Sequence, residues 1–269
     1  MAGLVLVAVV ALVWGLASGS GHIGAKAVFV HPPPSPRPPP PHPKPTAVDR
    51  ALRYTGYVLS GRPRRREVAL TFDDGPSPWT PRLVRVLRRL DVPATFFPIG
   101  YAIQRYGRYL RLEARAGFTI GDHTMTHPLM GELPGPKQIG EIDGQAGLLR
   151  RAMVPYPRLF RPPYGSFDSD TLGLIQERRM LMVLWSVNPE DYYRPGTKRI
   201  VQRVVGAVHP GAIVLLHDGG GDRTQTVKAV PAIVHRLRAR GYRLVSVPGL
   251  LADDPPPRHQ GPPPDLAGI

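Results

Sequence analysis

The sequence has no cysteine. Disulfides, thiolate metal sites and a cysteine nucleophile are therefore excluded, and any metal must be held by His, Asp or Glu. Acidic residues are scarce. The chain has 20 Asp and Glu against 35 Lys and Arg, for a net charge of +15. That excess implies anionic surroundings such as nucleic acid, lipid headgroups or an acidic cell-wall polymer, and says nothing about fold. No nucleic-acid recognition module is visible. The basic residues are spread over helix-like stretches rather than interleaved with stacking aromatics, so no nucleic-acid partner is expected. Internal repeats are also absent.

What is present is an ordinary apolar fraction, 42% of 269 residues. It is enough for a sizeable core in one large domain or two small ones. The N-terminus, "MAGLVLVAVVALVWGLASGSG", is uncharged from Ala2 to Ala17 and exits through small residues. It predicts an export signal or an uncleaved signal anchor over residues 1–21, although no Lys or Arg precedes the apolar run. The run is a little short for a full span of roughly 20 residues. Next comes "HPPPSPRPPPPHPKP", too dense in proline for helix or central strand. It predicts an extended linker over 22–53 that holds a domain away from a membrane. The C-terminal "DDPPPRHQGPPPDLAGI" predicts a disordered tail over 252–269. One folded domain is expected over 54–251.

Within that domain, short apolar strands alternate with amphipathic helices. Strands are expected at 68–72, 94–99, 118–121, 159–161, 181–185, 212–216 and 243–247. The helical stretches include "TPRLVRVLRRLD", "YAIQRYGRYLRLEARAG" and "TVKAVPAIVHRLRARG". This alternation predicts an α/β fold with a parallel sheet, and seven such strands suggest a distorted (β/α)7-type barrel.

Five polar clusters follow directly on expected strands: "TFDDGP", "GDHTMTHP", "FRPPYGSF", "LWSVNPEDYY" and "VLLHDGGG". In α/β barrels the loops at the C-terminal strand ends share one mouth, so the five should converge. Asp73 and Asp74 stand side by side, and each raises the cost of ionising the other. His123 and His127 are four apart, on one face if the segment is a helical turn. Two neutral imidazoles and one carboxylate make a three-ligand site suited to Zn²⁺ with positions left open. A divalent ion there would offset the repulsion. One Asp would bind it and the other would accept a proton from water. Singly, an Asp-Asp-Gly is usually a turn and a spaced His pair usually means little. Their joint appearance at neighbouring strand ends is the signal.

These motifs, in this order, resemble the polysaccharide deacetylase family, also called carbohydrate esterase family four. The match spans about Val68 to Val247. The resemblance implies a distorted (β/α) barrel and a divalent metal, Zn²⁺ first, with Co²⁺ or another first-row ion accepted by similar ligands. It implies Asp73 as general base, and Asp74, His123 and His127 as metal ligands. His217 would be the general acid, tuned by Asp191, and Arg161 would orient Asp73. The backbone N–H of Tyr164 would stabilise the oxyanion, and Leu215 and Trp185 would form the acetyl-methyl pocket. Two positions depart from the family pattern: Asn188, where Asp is frequent, and Tyr192, where Trp is frequent.

The expected function is hydrolysis of N-acetyl groups from N-acetylglucosamine in a cell-wall polysaccharide, with peptidoglycan as substrate. An anionic cell wall suits the positive charge, and the N-terminal segment suggests an exported protein, free or membrane-anchored. Chitooligosaccharide N-deacetylation, O-acetyl removal from xylan, and a degenerate glycan-binding module are the alternatives.

Overall fold

The computed structural model describes residues 44–258 and 260. The expected export signal, most of the linker and the last residues of the tail lie outside them. The chain runs Ala47–Leu52 (α1), Tyr57–Val58 (β1), Glu67–Asp73 (β2), Thr80–Arg89 (α2), Thr95–Phe97 (β3), Gly100–Arg115 (α3), Thr119–Ile120 (β4) and Gly135–Arg151 (α4). It continues through Leu159–Phe160 (β5), Ser169–Glu177 (α5), Leu181–Val183 (β6), Thr197–Ala207 (α6), Ala212–His217 (β7), Thr224–Ala239 (α7), Arg243–Val245 (β8) and Val247–Asp253 (α8). All seven expected strands are present, with ends within two residues of expectation, and β1 is an eighth.

Every strand pair in the two sheets is parallel. β4, β3, β2 and β7 form one run, and β1, β6 and β5 the other. Single parallel bridges join the runs, Asp122 to Phe160 and Val187 to Val214. Six consecutive strands, β2 to β7, thus close a ring with two weak seams. One edge of β2 is taken by β7 along Val68–Asp73, while β8 and β3 share the other edge in succession. The arrangement is a distorted α/β barrel rather than a regular one.

The pleat of β2 explains the layering. Val68, Leu70 and Phe72 point outward into a core shared with Leu83, Leu87, Ile233 and Leu237 of α2 and α7. Ala69 points inward, where it meets Phe97, Leu159, Leu181, Val183 and Ile213. Residues of α1 and α8 complete this inner cluster, including Val48, Ala51, Leu250 and Leu251. Side chains on a strand alternate between faces, so Thr71 and Asp73 also face inward, at the opposite end. The same rule aims Leu215 and His217 of β7 inward, and the register sets His217 opposite Asp73.

The domain is longer than the sequence suggests at both ends. The linker stops before residue 46, because Thr46 and Asp49 form a capping box that starts α1 and Val48 and Ala51 are buried. At the other end α8 runs to Asp253, and Pro256 accepts a hydrogen bond from the Tyr54 hydroxyl at 3.1 Å. Helix α4 was not expected; its glycines argue against a helix, yet Pro136 falls in its first turn, where proline is tolerated, and Ile142 and Leu149 are fully buried.

Helix α5 is held at its start by Asp168, whose carboxylate accepts from Thr171 N at 2.8 Å. Asp168→Ala should therefore cost about 1 kcal/mol of stability, the usual loss for an N-cap carboxylate. Urea denaturation checks this: an unchanged midpoint would show that the cap contributes nothing.

Candidate active site

The C-terminal strand ends form one mouth. Asp73 ends β2 and Asp74 follows it, His123 and His127 follow β4, Arg161 and Tyr164 follow β5, Trp185 and Asp191 follow β6, and His217 ends β7. Several residues of these loops adopt left-handed backbone: Asp74 (φ 70°), Thr124 (φ 68°), His127 (φ 67°), Tyr164 (φ 59°) and Glu190 (φ 56°). Such conformations cost energy in non-glycine residues and persist only where the surroundings impose them.

His123 and His127 do not sit on a helical turn as expected. Residues 121–129 form an irregular loop, and the left-handed turns at Thr124 and His127 bring the two rings together instead, 5.0 Å apart and edge to face. His123 Nε2 lies 3.5 Å from Asp74 Oδ1, and His127 Nε2 lies 3.3 Å from the same oxygen. One ligand atom from each of the three residues falls within 4.8 Å of the others.

Two further observations fit a cation at this point. Asp74 Oδ1 is buried and has no hydrogen-bond donor. His123 Nδ1 is 2.6 Å from the carbonyl oxygen of Arg161. A carbonyl can only accept, so Nδ1 carries a proton, and in the neutral ring Nε2 turns a lone pair towards Asp74. A second partner that fixes the tautomer in this way is a regular feature of metal-binding histidines. Burial alone would raise the Asp74 carboxyl, but the two imidazoles facing it hold it well below the usual carboxylate range. Two imidazoles and a carboxylate suit a divalent first-row ion.

Asp73 is held on the other side. Its Oδ1 accepts from Arg161 Nη1 at 2.7 Å, and its Oδ2 lies 3.8 Å from His123 Nε2. Arg161 is completely buried. Four of its five N–H groups have acceptors: Nη1 also reaches Thr71 Oγ1 at 2.7 Å, Nε donates to Val183 O at 2.9 Å, and Nη2 donates to Leu184 O at 3.2 Å. Phe97 packs against the guanidinium at 4.3 Å and Trp185 at 5.8 Å. The buried charge is thus paired and satisfied, the condition under which a buried ion pair persists.

His217 faces this pair across the mouth. Its Nδ1 is 2.7 Å from Asp191 Oδ1, and its backbone N–H donates to Asp191 Oδ2 at 3.0 Å. Thr226 Oγ1 donates to the same Oδ2 at 2.6 Å. Burial would lower the imidazole, but the charge and hydrogen bond of Asp191, aided by Asp74 and Asp73, raise it to about 9. The ring is therefore protonated at neutral pH, with Nε2–H free of Asp191.

The remaining expected residues line the same space. Leu215 is buried two residues before His217, and Trp185 packs against the inner core. The Tyr164 ring is exposed and lies edge-on to His127 at 4.6 Å. Tyr192 lies edge-on to His217 at 5.3 Å, and Asn188 holds its own turn by accepting from Glu190 N at 2.9 Å.

Some positioning residues escaped sequence reasoning. Thr71 carried a usable signal, since it stands two before Asp73 and so shares its face. Thr226 carried none, because it comes from the first turn of a helix after a separate loop. Asp218 is buried beneath the first motif, where its carboxylate accepts from Thr80 and its carbonyl from Ser77. Gly219 lies hard against Asp74: a Cβ there would come within 1.9 Å of the Asp74 carbonyl oxygen.

A family model described as polysaccharide deacetylase matches residues 60–183. A peptidoglycan-N-acetylglucosamine deacetylase of Bacillus cereus is 40% identical over 207 residues, covering 75% of this chain and 96% of the relative. A chitooligosaccharide deacetylase of a Bradyrhizobium species is 38% identical over 198 residues, covering 69% and 90%. A solved peptidoglycan N-acetylglucosamine deacetylase, Bc1960, superposes with a TM-score of 0.72 at 30% identity, covering 77% of this chain and 97% of that one. Given that likeness, and strand-end motifs that meet at one mouth, the chain belongs to the polysaccharide deacetylase family.

Proposed function

We propose that the protein is an exported, metal-dependent hydrolase that removes N-acetyl groups from N-acetylglucosamine residues of a cell-wall glycan, peptidoglycan first. The observation that carries this reading is the convergence of Asp74, His123 and His127 on one point, with a fixed carboxylate on one side and an imidazolium on the other. A divalent ion held by those three residues would supply Lewis acidity to a water and to the acetyl carbonyl; Zn²⁺ fits the ligand set best, with Co²⁺ a close second.

The chain's own residues do the rest. Arg161 occupies Asp73 Oδ1 and orients the carboxylate, leaving Oδ2 to take a proton from the attacking water as general base. The backbone N–H of Tyr164 is the candidate donor to the oxyanion that develops on the acetyl oxygen. Asp191 holds His217 by Nδ1, leaving Nε2–H to protonate the amine as the C–N bond breaks. The products are acetate and a free glucosamine amine. Leu215 and Trp185 supply the apolar wall for the methyl group.

The deciding assay is acetate release from purified peptidoglycan and from a soluble N-acetylglucosamine oligomer, with added Zn²⁺ or Co²⁺. Release from peptidoglycan at the higher kcat/KM is expected. Preference for the oligomer would favour the chitooligosaccharide reading, which the Bradyrhizobium relative supports. Glycan binding without release, or release from acetylated xylan alone, would overturn the N-deacetylase reading.

Export rests on the apolar stretch Ala2–Ala17 and the proline-rich segment after it. Among the described residues no helix is long and apolar enough to cross a membrane. Cell fractionation tests this part: protein confined to the cytosol would overturn it.

A further inference from the structure

The positive charge is not evenly spread over the barrel. Helices α3, α2, α7 and α6 stand side by side along one outer wall, each packed on the next. α2 and α3 carry four Arg each, and α6 and α7 carry three Lys or Arg each. The only acidic residue in these four helices is Glu113. It is fully buried, and burial together with the charge of Asp218 pushes its carboxyl well above the usual range, so it neutralises nothing. The helices next in line differ: α4, which packs on α3, and α5, which packs on α4, carry Glu141, Asp143, Asp170 and Glu177 among their residues.

The cationic wall is also concave. A groove of about 940 Å³ runs between α2 and α7, beside Leu112 of α3. Arg82, Arg85, Arg88, Arg89 and Lys228 line it, all exposed, and no acidic side chain does. Among the described residues none of these five cations makes an ion pair. On α2 they recur at three- and four-residue spacing, about one helical turn of 5.4 Å apart. Like charges held this close repel one another, and no internal partner relieves them.

We propose that this groove is a docking site for a linear phosphodiester polymer without aromatic groups, bound along the outside of the barrel while the mouth stays open. The shape and chemistry of the groove select this occupant. A row of cations at turn intervals suits a chain with recurring anions better than a single phosphate. Guanidinium groups pair with phosphate oxygens two at a time. The groove has no aromatic side chain on which a base could stack, which disfavours single-stranded nucleic acid. Of its apolar lining Val84 and Val227 are buried and Val86 is half-buried, so the groove presents little of the apolar face a membrane-inserting surface requires.

The test uses the full chain and soluble poly(glycerol phosphate) as probe, with binding measured by titration across a range of salt. The variant Arg82→Gln/Arg85→Gln/Arg88→Gln keeps good helix formers on α2. Its control, Lys137→Gln/Arg150→Gln/Arg151→Gln, removes the same charge from exposed positions on α4. The α2 variant should lose at least tenfold in affinity and about two in the slope of log affinity against log salt, given roughly 0.7 per phosphate contact on a flexible strand. The control should lose less than threefold, and both should release acetate from a soluble oligomer as the parent does. Equal losses in the two variants would show net charge alone at work and overturn the site. Tighter binding to single-stranded DNA, to polyglutamate or to anionic phospholipid vesicles at the same salt would overturn the chosen occupant. Binding is read without turnover, so it stands or falls separately from deacetylation.

Discussion

Asp74→Asn is expected to lower acetate release about a thousandfold, a loss of several kcal/mol of the kind Lewis-acid chemistry supplies. Asn is the informative substitution. Asp74 has φ +70°, a conformation that Asn tolerates and most other residues do not. The backbone should therefore stay in place while one anionic ligand becomes neutral. Two readouts separate a lost ion from a lost fold. By calorimetric titration, the variant should bind Zn²⁺ at least a hundredfold more weakly than the parent. In thermal melts, the parent should gain stability on adding Zn²⁺ and the variant should not. Wild-type activity lost to a chelator should return with Zn²⁺ or Co²⁺. Retained turnover in Asp74→Asn, with Zn²⁺ still bound tightly, would remove Asp74 from the metal site.

Much of this site could be read from the chain because strand ends announce themselves. An apolar run that stops at "DDGP" or "LLHD" marks both a strand and the face its last residues point to, and parallel register then places His217 opposite Asp73. What could not be read is what depends on backbone sign and on neighbours from distant loops. The spacing of His123 and His127 suggested a helical turn, but the rings meet through two left-handed residues, which spacing cannot reveal. Arg161 could be assigned to Asp73, but the acceptors of its other N–H groups, Val183 O and Leu184 O, lie at the end of a strand some twenty residues further on. Helix α4 hid behind its own glycines, although a Cβ added at Gly140, Gly144 or Gly147 would meet nothing closer than 3.5 Å, so no close approach demands them. The short helix α1 hid in proline-rich surroundings, and only its Thr46–Asp49 capping box could have exposed it.

Asp191→Asn should lower kcat by about a hundred- to ten-thousandfold, the usual contribution of a positioned acid, and should do so in a pH-dependent way. In the metal-free protein His217 titrates at about 9 despite its burial, with Asp191 the first of the groups that raise it. Asp74 and Asp73 also raise it, so an ion that offsets their charge should bring the value down in the loaded enzyme. Loss of the Asp191 charge should lower it in both states. The alkaline limb of kcat/KM, where the acid loses its proton, should therefore move to lower pH in the variant. Stability follows the same sign. A histidine whose pKa is raised by folding stabilises the fold fully below its unfolded value near 6.5, and that contribution is lost as pH rises through about 9. Metal-free parent protein should accordingly lose stability between these limits, and the variant should show a smaller loss. NMR titration of the His217 ring, with urea melts at pH 6 and pH 9.5, measures both effects. Asn keeps an oxygen for the Thr226 hydroxyl and the His217 backbone N–H, so the fold has no reason to fail. An alkaline limb that stays in place while kcat falls would leave Asp191 a scaffold for the loop and nothing more, and the proton for the departing amine would have to come from another group.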